Sequence, residues 1–135
     1  MKKMYRTRLY KHADFLESLP KPEKFNILDW ANKIDEDKGI FFCNTVACVA
    51  GWAGLNPAFR RAGLKTVVCE NIMTLDGVSM HPEDAAAQFF GLTRDESTEL
   101  FYYQGYDVSD YQKVTAKVAA AKCREIADRH KDDVG

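Results

Sequence analysis

Four cysteines and three histidines are the residues of this chain best suited to chemistry. The cysteines are Cys43, Cys48, Cys69 and Cys123; the histidines are His12, His81 and His130. Structural zinc sites hold cysteines in close pairs on tight knuckles, each pair completed by a second. Cys43 and Cys48 form one pair, but a helix is predicted to begin between them and no second pair exists. A thiol nucleophile needs a neighbouring base, and no histidine is placed by spacing to serve Cys43. The chain also lacks H-E-x-x-H, G-x-S-x-G, a phosphate-binding glycine loop and a paired-carboxylate pattern. The acidic run Asp35, Glu36, Asp37 has too few donors at defined intervals for a cation loop. These residues point away from an enzyme, a metal centre or a resident cofactor. For Cys43 and Cys48 three states stay open: thiols packed as small hydrophobes, a disulfide, or metal ligands.

The element that must position the cysteines is the stretch C-N-T-V-A-C-V-A-G-W-A-G-L, from Cys43 to Leu55. Asn44 is a good N-cap, which sets Cys43 and Cys48 at the two positions of a hydrophobic staple. Ala47, Ala50, Gly51 and Gly54 then share one side at helical spacing, bordered by Val49, Trp52 and Ala53. Glycine inside a helix costs roughly 1 kcal/mol relative to alanine, so another element is expected to approach this strip closely. Asn56-Pro57 ends the helix. Trp30, Cys43, Cys48, Gly51 and Trp52 are the predicted structural core. Replacing Cys48 by serine is expected to cost about 1–3 kcal/mol if the hydroxyl is buried without a partner.

Around that centre, apolar spacing predicts a short amphipathic helix over residues 10–19, closed by Pro20 and Pro22. A second helix follows with Phe25, Ile27, Leu28, Trp30, Ala31 and Ile34 on its apolar side. Residues 58–63 add a short turn of helix stopped by Gly63. Branched residues at 66–69 and 72–75 predict a small β-hairpin, and Asp76-Gly77 a further turn. Ser79 or His81 caps the next helix, Pro82 opens it, Ala85, Ala86, Phe89 and Phe90 face inward, and Gly91 stops it. Thr93 and Glu96 form a capping box for the helix ending near Leu100 and Phe101, and Ser109 with Gln112 forms another. The latter opens the longest helix, over residues 110–130. The predicted fold is therefore mainly α (α+β): a compact bundle of five or six helices around the 43–55 helix, with a small hairpin near 65–75.

The 135 residues carry 46% hydrophobic and 29% charged side chains, the composition of one globular domain. Residues 1–8, a basic arm, and the tail at 131–135 are expected to be flexible. A net charge of −1 disfavours nucleic-acid binding by bulk charge. Lys2, Lys3, Arg6, Arg8, Arg60 and Arg61 are nonetheless the side chains that would touch phosphates, with Lys65 beside them. No apolar run is long enough to span a bilayer, and no apolar segment follows the N-terminal charges, so the expectation is a cytoplasmic protein with no membrane partner. Phe101, Tyr102, Tyr103 and Tyr106 cluster on one loop and are the candidate recognition surface.

The order F-N-x-x-x-W from Phe25 to Trp30, C-N-T-x-A-C-x-A-G-W from Cys43 to Trp52, A-A-x-F-F-G-L-T from Ala86 to Thr93, and Leu100-Phe101 resembles a set of small uncharacterised bacteriophage and prophage proteins. They share a C-[GN]-T-x-[AG]-C-x-[AI]-G-[WH] core, and the resemblance spans residues 25–101. Asn44 stands where glycine is usual in that set. The resemblance implies a phage or mobile-element origin. Together with the missing catalytic set, it gives the expected function: a non-enzymatic interaction protein that binds a host or defence protein. A nucleic-acid-associated accessory protein and a small-ligand-sequestering protein are the alternatives.

Overall fold

The computed structural model describes residues 1–19, 25, 27, 32–33, 45–46, 48–67, 72–110 and 113–133. Its first element is set by an uninterrupted run of helix-tolerant residues. Helix α1 covers Lys3–Glu17 and buries Leu9, His12, Ala13 and Leu16 at i, i+3, i+4 and i+7. It begins seven residues before the apolar pattern predicts, because no glycine or proline interrupts the basic segment. The basic residues from Lys3 onward are therefore helical.

Strand β1 (Asn32–Lys33) pairs antiparallel with β2 (Thr45–Val46). This corrects two expectations: the second helix does not reach Asn32, and the central helix does not run from Asn44. Helix α2 is only Val49–Ala53, with Cys48 in extended backbone at its N-cap. Val49, Ala50, Gly51, Trp52 and Ala53 are all buried. Trp30, Cys43, Asn44 and the 35–39 acidic loop lie outside the described residues, and so does any pairing of Cys43 with Cys48.

Asn56 caps α3 (Pro57–Arg61), its side chain accepting from the Ala58 amide at 3.1 Å. Strands β3 (Leu64–Val67), β4 (Ile72–Leu75) and β5 (Val78–Met80) form an antiparallel sheet in that order. Where a two-stranded hairpin is predicted, the sheet has three strands. The β4–β5 connection is the two-residue turn Asp76-Gly77, with φ of 52° and 84°, the left-handed pair that a tight hairpin requires. The close approach expected of the small-residue strip is made by β3. Thr66 Oγ1 donates to the Gly51 carbonyl at 2.8 Å, and the Thr66 amide donates to the Gly54 carbonyl at 3.1 Å.

Helix α4 (Pro82–Phe90) is capped by the His81 side chain and stopped by Gly91 at φ 66°. Helix α5 (Arg94–Phe101) has the full Thr93–Glu96 capping box. The last helix, α6, is Ala116–Arg129 and starts from Thr115, whose hydroxyl accepts from the Val118 amide at 3.2 Å. It does not start at Ser109 as predicted. Ser109 instead accepts a hydrogen bond from Lys113 Nζ at 2.7 Å, and Val114, 3% exposed, ties the chain to the core just before the helix begins.

The core is one cluster. The most extensive helix pair is α1 with α6, where Leu9, Ala13 and Leu16 face the stripe of Ala119, Ala120, Cys123, Ile126 and Ala127. Phe59, Phe89 and Phe90 pack edge-to-face at 4.9 to 5.6 Å between ring centroids, a favourable aromatic geometry. The fold is α+β, with six helices and the three-stranded sheet among the described residues. No helix among the described residues is long and apolar enough to cross a membrane.

Candidate functional site

The residues singled out for chemistry are mostly occupied with holding the fold. His12 is fully buried, its Nε2–H donating to the Val49 carbonyl at 2.8 Å, so α1 is tied directly to the first residue of α2. Its Nδ1 is buried with no hydrogen-bond partner among the described residues. Rings of Phe15, Phe59 and Phe90 surround it at 5.5 to 6.1 Å. Burial in that aromatic setting pulls its pKa down to about 4, with the Val49 carbonyl opposing only weakly. His81 Nδ1 accepts from the Glu83 amide at 3.2 Å. His130 bridges Glu96 at 2.6 Å and Asp133 at 2.7 Å, and these carboxylates, Glu96 foremost, raise its pKa. Cys48 and Cys123 are buried, and burial pushes the Cys123 thiol up to about 12, far from a reactive thiolate. No group of three metal-ligating side chains occurs among the described residues.

The aromatic loop does not present its rings as an exposed patch. Phe101 is 1% and Tyr106 6% exposed. The Tyr106 hydroxyl donates to the Leu100 carbonyl at 2.8 Å, and burial drives its pKa far above the usual phenol range. The Tyr102 hydroxyl donates to Glu83 at 2.5 Å, a bond that pushes its pKa up to about 12. Tyr103 is half-buried at the start of a 3-10 turn, Tyr103–Gly105. That turn lies so close to the Glu99 backbone that a Cβ on Gly105 would sit 2.4 Å from the Glu99 carbonyl oxygen. Low exposure of Phe101 and Tyr106 makes this segment mainly a closure of the core.

The basic residues divide into two sets. Arg6 donates to the Lys131 carbonyl at 3.0 Å, Arg8 to the Phe89 carbonyl at 2.7 Å, and Arg60 to the Gly54 carbonyl at 3.0 Å. Each of these guanidinium groups joins elements that are distant or turning. Lys2, Lys3, Lys11 and Arg61 are exposed. Neither Lys3 nor Lys11 forms an ion pair among the described residues.

Lys3, Thr7 and Lys11 stand at i, i+4 and i+8, one row along α1 with about 6 Å per step. With Met4 and Arg8 they line one wall of a cleft of about 370 Å³. The opposite wall is Ala58 of α3 with Ala62 just past its end, and Phe59 and Phe89, almost fully buried, complete the lining. No acidic side chain among the described residues lines the cleft. Arg8 is fixed within it, its guanidinium carbon 3.9 Å from the Phe89 ring centroid, the geometry of a cation–π contact. Burial lowers its pKa while Tyr5 and Asp76 oppose the shift, so it remains a cation at any working pH. The basic composition of residues 1–11 makes Lys3, Arg8 and Lys11 visible in the sequence, but not the wall that faces them. Once α1 starts at Lys3, the 3–7–11 spacing puts both lysines on one face. No family model matches the chain, and neither a curated protein nor a solved structure shows significant similarity to it.

Proposed function

We propose that the protein is a non-enzymatic cytoplasmic interaction protein whose partner is a host or defence protein, and that the α1–α3 cleft is its contact site. The observation that carries the reading is the set of cations around an apolar-floored cleft with no acidic lining residue among the described residues, in a chain of net charge −1. Like-signed groups gathered in a concave site favour a partner of opposite charge and speed its encounter. The resemblance to phage and prophage proteins supports a host protein as that partner. This reading replaces the aromatic loop as the principal surface, since Phe101 and Tyr106 are buried. A nucleic-acid partner is the second reading, favoured by exposed Lys2, Lys3 and Lys11 on one end of the molecule. It is weakened because Arg6, Arg8 and Arg60 are engaged with backbone carbonyls.

The test is native mass spectrometry of the protein purified from a bacterial host cytoplasm without chelators. A stoichiometric protein adduct supports the proposal. A bare chain, a nucleic-acid adduct or a bound small molecule refutes it.

A further inference from the structure

Resting on the protein-binding reading, the geometry points to the chemistry of the partner: we infer that the cleft takes an acidic, amphipathic helical segment carrying one aliphatic anchor. The spacing of the cations supplies the first argument. Lys3 and Lys11 stand two turns apart on α1, a rise of about 12 Å, the separation of carboxylates at i and i+8 on another helix. Arg8, between them in sequence, is held over Phe89 and uses one terminal nitrogen on the Phe89 carbonyl. Its remaining N–H groups make no hydrogen bond among the described residues, so a carboxylate meets a donor that is already ordered.

The apolar part of the cleft supplies the second argument. Met4 is 49% exposed beside these cations, whereas most large apolar side chains of the described chain are buried. Methionine adapts to irregular apolar surfaces, and across from it stand the small side chains of Ala58 and Ala62. A leucine or isoleucine from a partner fits between a flexible wall and a short one. The aromatic floor argues against a nucleic-acid strand: Phe59 and Phe89 are 3% and 2% exposed, so neither offers a ring face for a base to stack on. A cleft of about 370 Å³ also has no room for a duplex.

The experiment is selection from a displayed library of random 12-residue peptides against the full chain, counter-selected on the double variant Lys3→Glu/Lys11→Glu. Both lysines are exposed, so the variant is expected to fold, and its circular dichroism and melting are checked beside the wild type. Enriched peptides are expected to carry glutamate or aspartate about two helical turns apart, at i, i+7 or i, i+8, around a leucine or isoleucine. Measured by fluorescence anisotropy, the best of them is expected to bind the double variant at least about tenfold more weakly than the wild type, since both contacts turn repulsive. Ala62→Trp, which fills the cleft and leaves every charge in place, is expected to weaken it by a similar factor. Enrichment of neutral or basic peptides overturns the inference. So does equal binding to the charge-reversed chain, or tighter binding of a mixed-sequence 12-nucleotide single strand at the same salt. A protein partner found by native mass spectrometry whose binding ignores all three substitutions also removes this site, while leaving the protein-binding reading intact.

Discussion

Replacing His12 by glutamine should abolish the loss of stability that this buried histidine causes between pH 7.5 and pH 5. His12 is fully buried among Phe15, Phe59 and Phe90, and its Nδ1 has no partner among the described residues to share a second proton with. The folded protein therefore holds it neutral down to a pKa of about 4, against about 6.5 when unfolded. Because the folded value is the lower one, the unfolded chain binds more protons between these pH values, and stability falls as pH falls through that window. At about 1.4 kcal/mol per tenfold in proton affinity, the full loss is about 3 kcal/mol, of which about 2 kcal/mol has appeared by pH 5. Stopping at pH 5 keeps the ordinary carboxylates out of the measurement. Glutamine retains an amide N–H for the Val49 carbonyl but cannot titrate. Urea unfolding of both proteins at both pH values gives the difference directly, and subtracting one protein from the other cancels His130, which acts in the opposite sense. Wild-type and variant curves that shift in parallel would refute the argument, because His12 would then titrate alike in folded and unfolded chains.

Other consequences can be checked as simply. His130, raised by Glu96 and Asp133, contributes stability that is fully present below about pH 6.5 and is lost as pH rises through its folded value; its ring-proton NMR titration should have a midpoint above that of a histidine in the urea-unfolded chain. Gly54→Ala should destabilise by about 3 kcal/mol or more, since a Cβ there would lie 2.0 Å from Thr66 Oγ1 and 2.5 Å from the Thr66 nitrogen; an unchanged urea midpoint would contradict the contact. Cys48→Ser should cost less than the 1–3 kcal/mol expected of a buried hydroxyl, and stay within about 1 kcal/mol of wild type. Cys48 occupies the N-cap of α2 without a side-chain cap bond, and a serine hydroxyl can accept the amide that sulfur does not.

Local punctuation was legible wherever one residue type satisfies a specific backbone need. Pro82 with Gly91, the Thr93–Glu96 box and the Asp76-Gly77 turn all act within four residues of themselves, and all are found as read, whereas Asn56-Pro57, expected to end the central helix, caps and opens α3 instead. The 43–55 stretch was misread for the opposite reason. Its alanines, glycines, threonine and valines have no decisive period, and what makes Thr45–Val46 a strand is pairing with Asn32–Lys33, which no local pattern announces. The Ser109–Gln112 box failed similarly: a capping motif supplies the donor and acceptor, but burial of Val114 places the helix start at Thr115. At the candidate site the cations were visible in the sequence. The cleft was not, because its far wall comes from residues about 50 positions away and its floor from about 80.

The pairing of α1 with α6 has a consequence for how the chain is made. Arg124 on α6 bridges Asp14 and Glu17 on α1, and Tyr10 donates to Asp128, contacts separated by 107 to 118 residues. Helix α1 thus leaves the ribosome more than 100 residues before the helix it packs on. At translation rates of about 5–20 residues per second, that interval is roughly 5 to 20 seconds, during which Leu9, Ala13 and Leu16 have no permanent cover. Contacts of such long sequence separation are costly to close and form late. Ribosome-stalled chains ending before α6 are therefore expected to be protease-sensitive throughout α1. Synthesis itself, by deciding when α6 arrives, sets the moment at which the N-terminal helix is locked and the cleft beside it acquires its wall of cations.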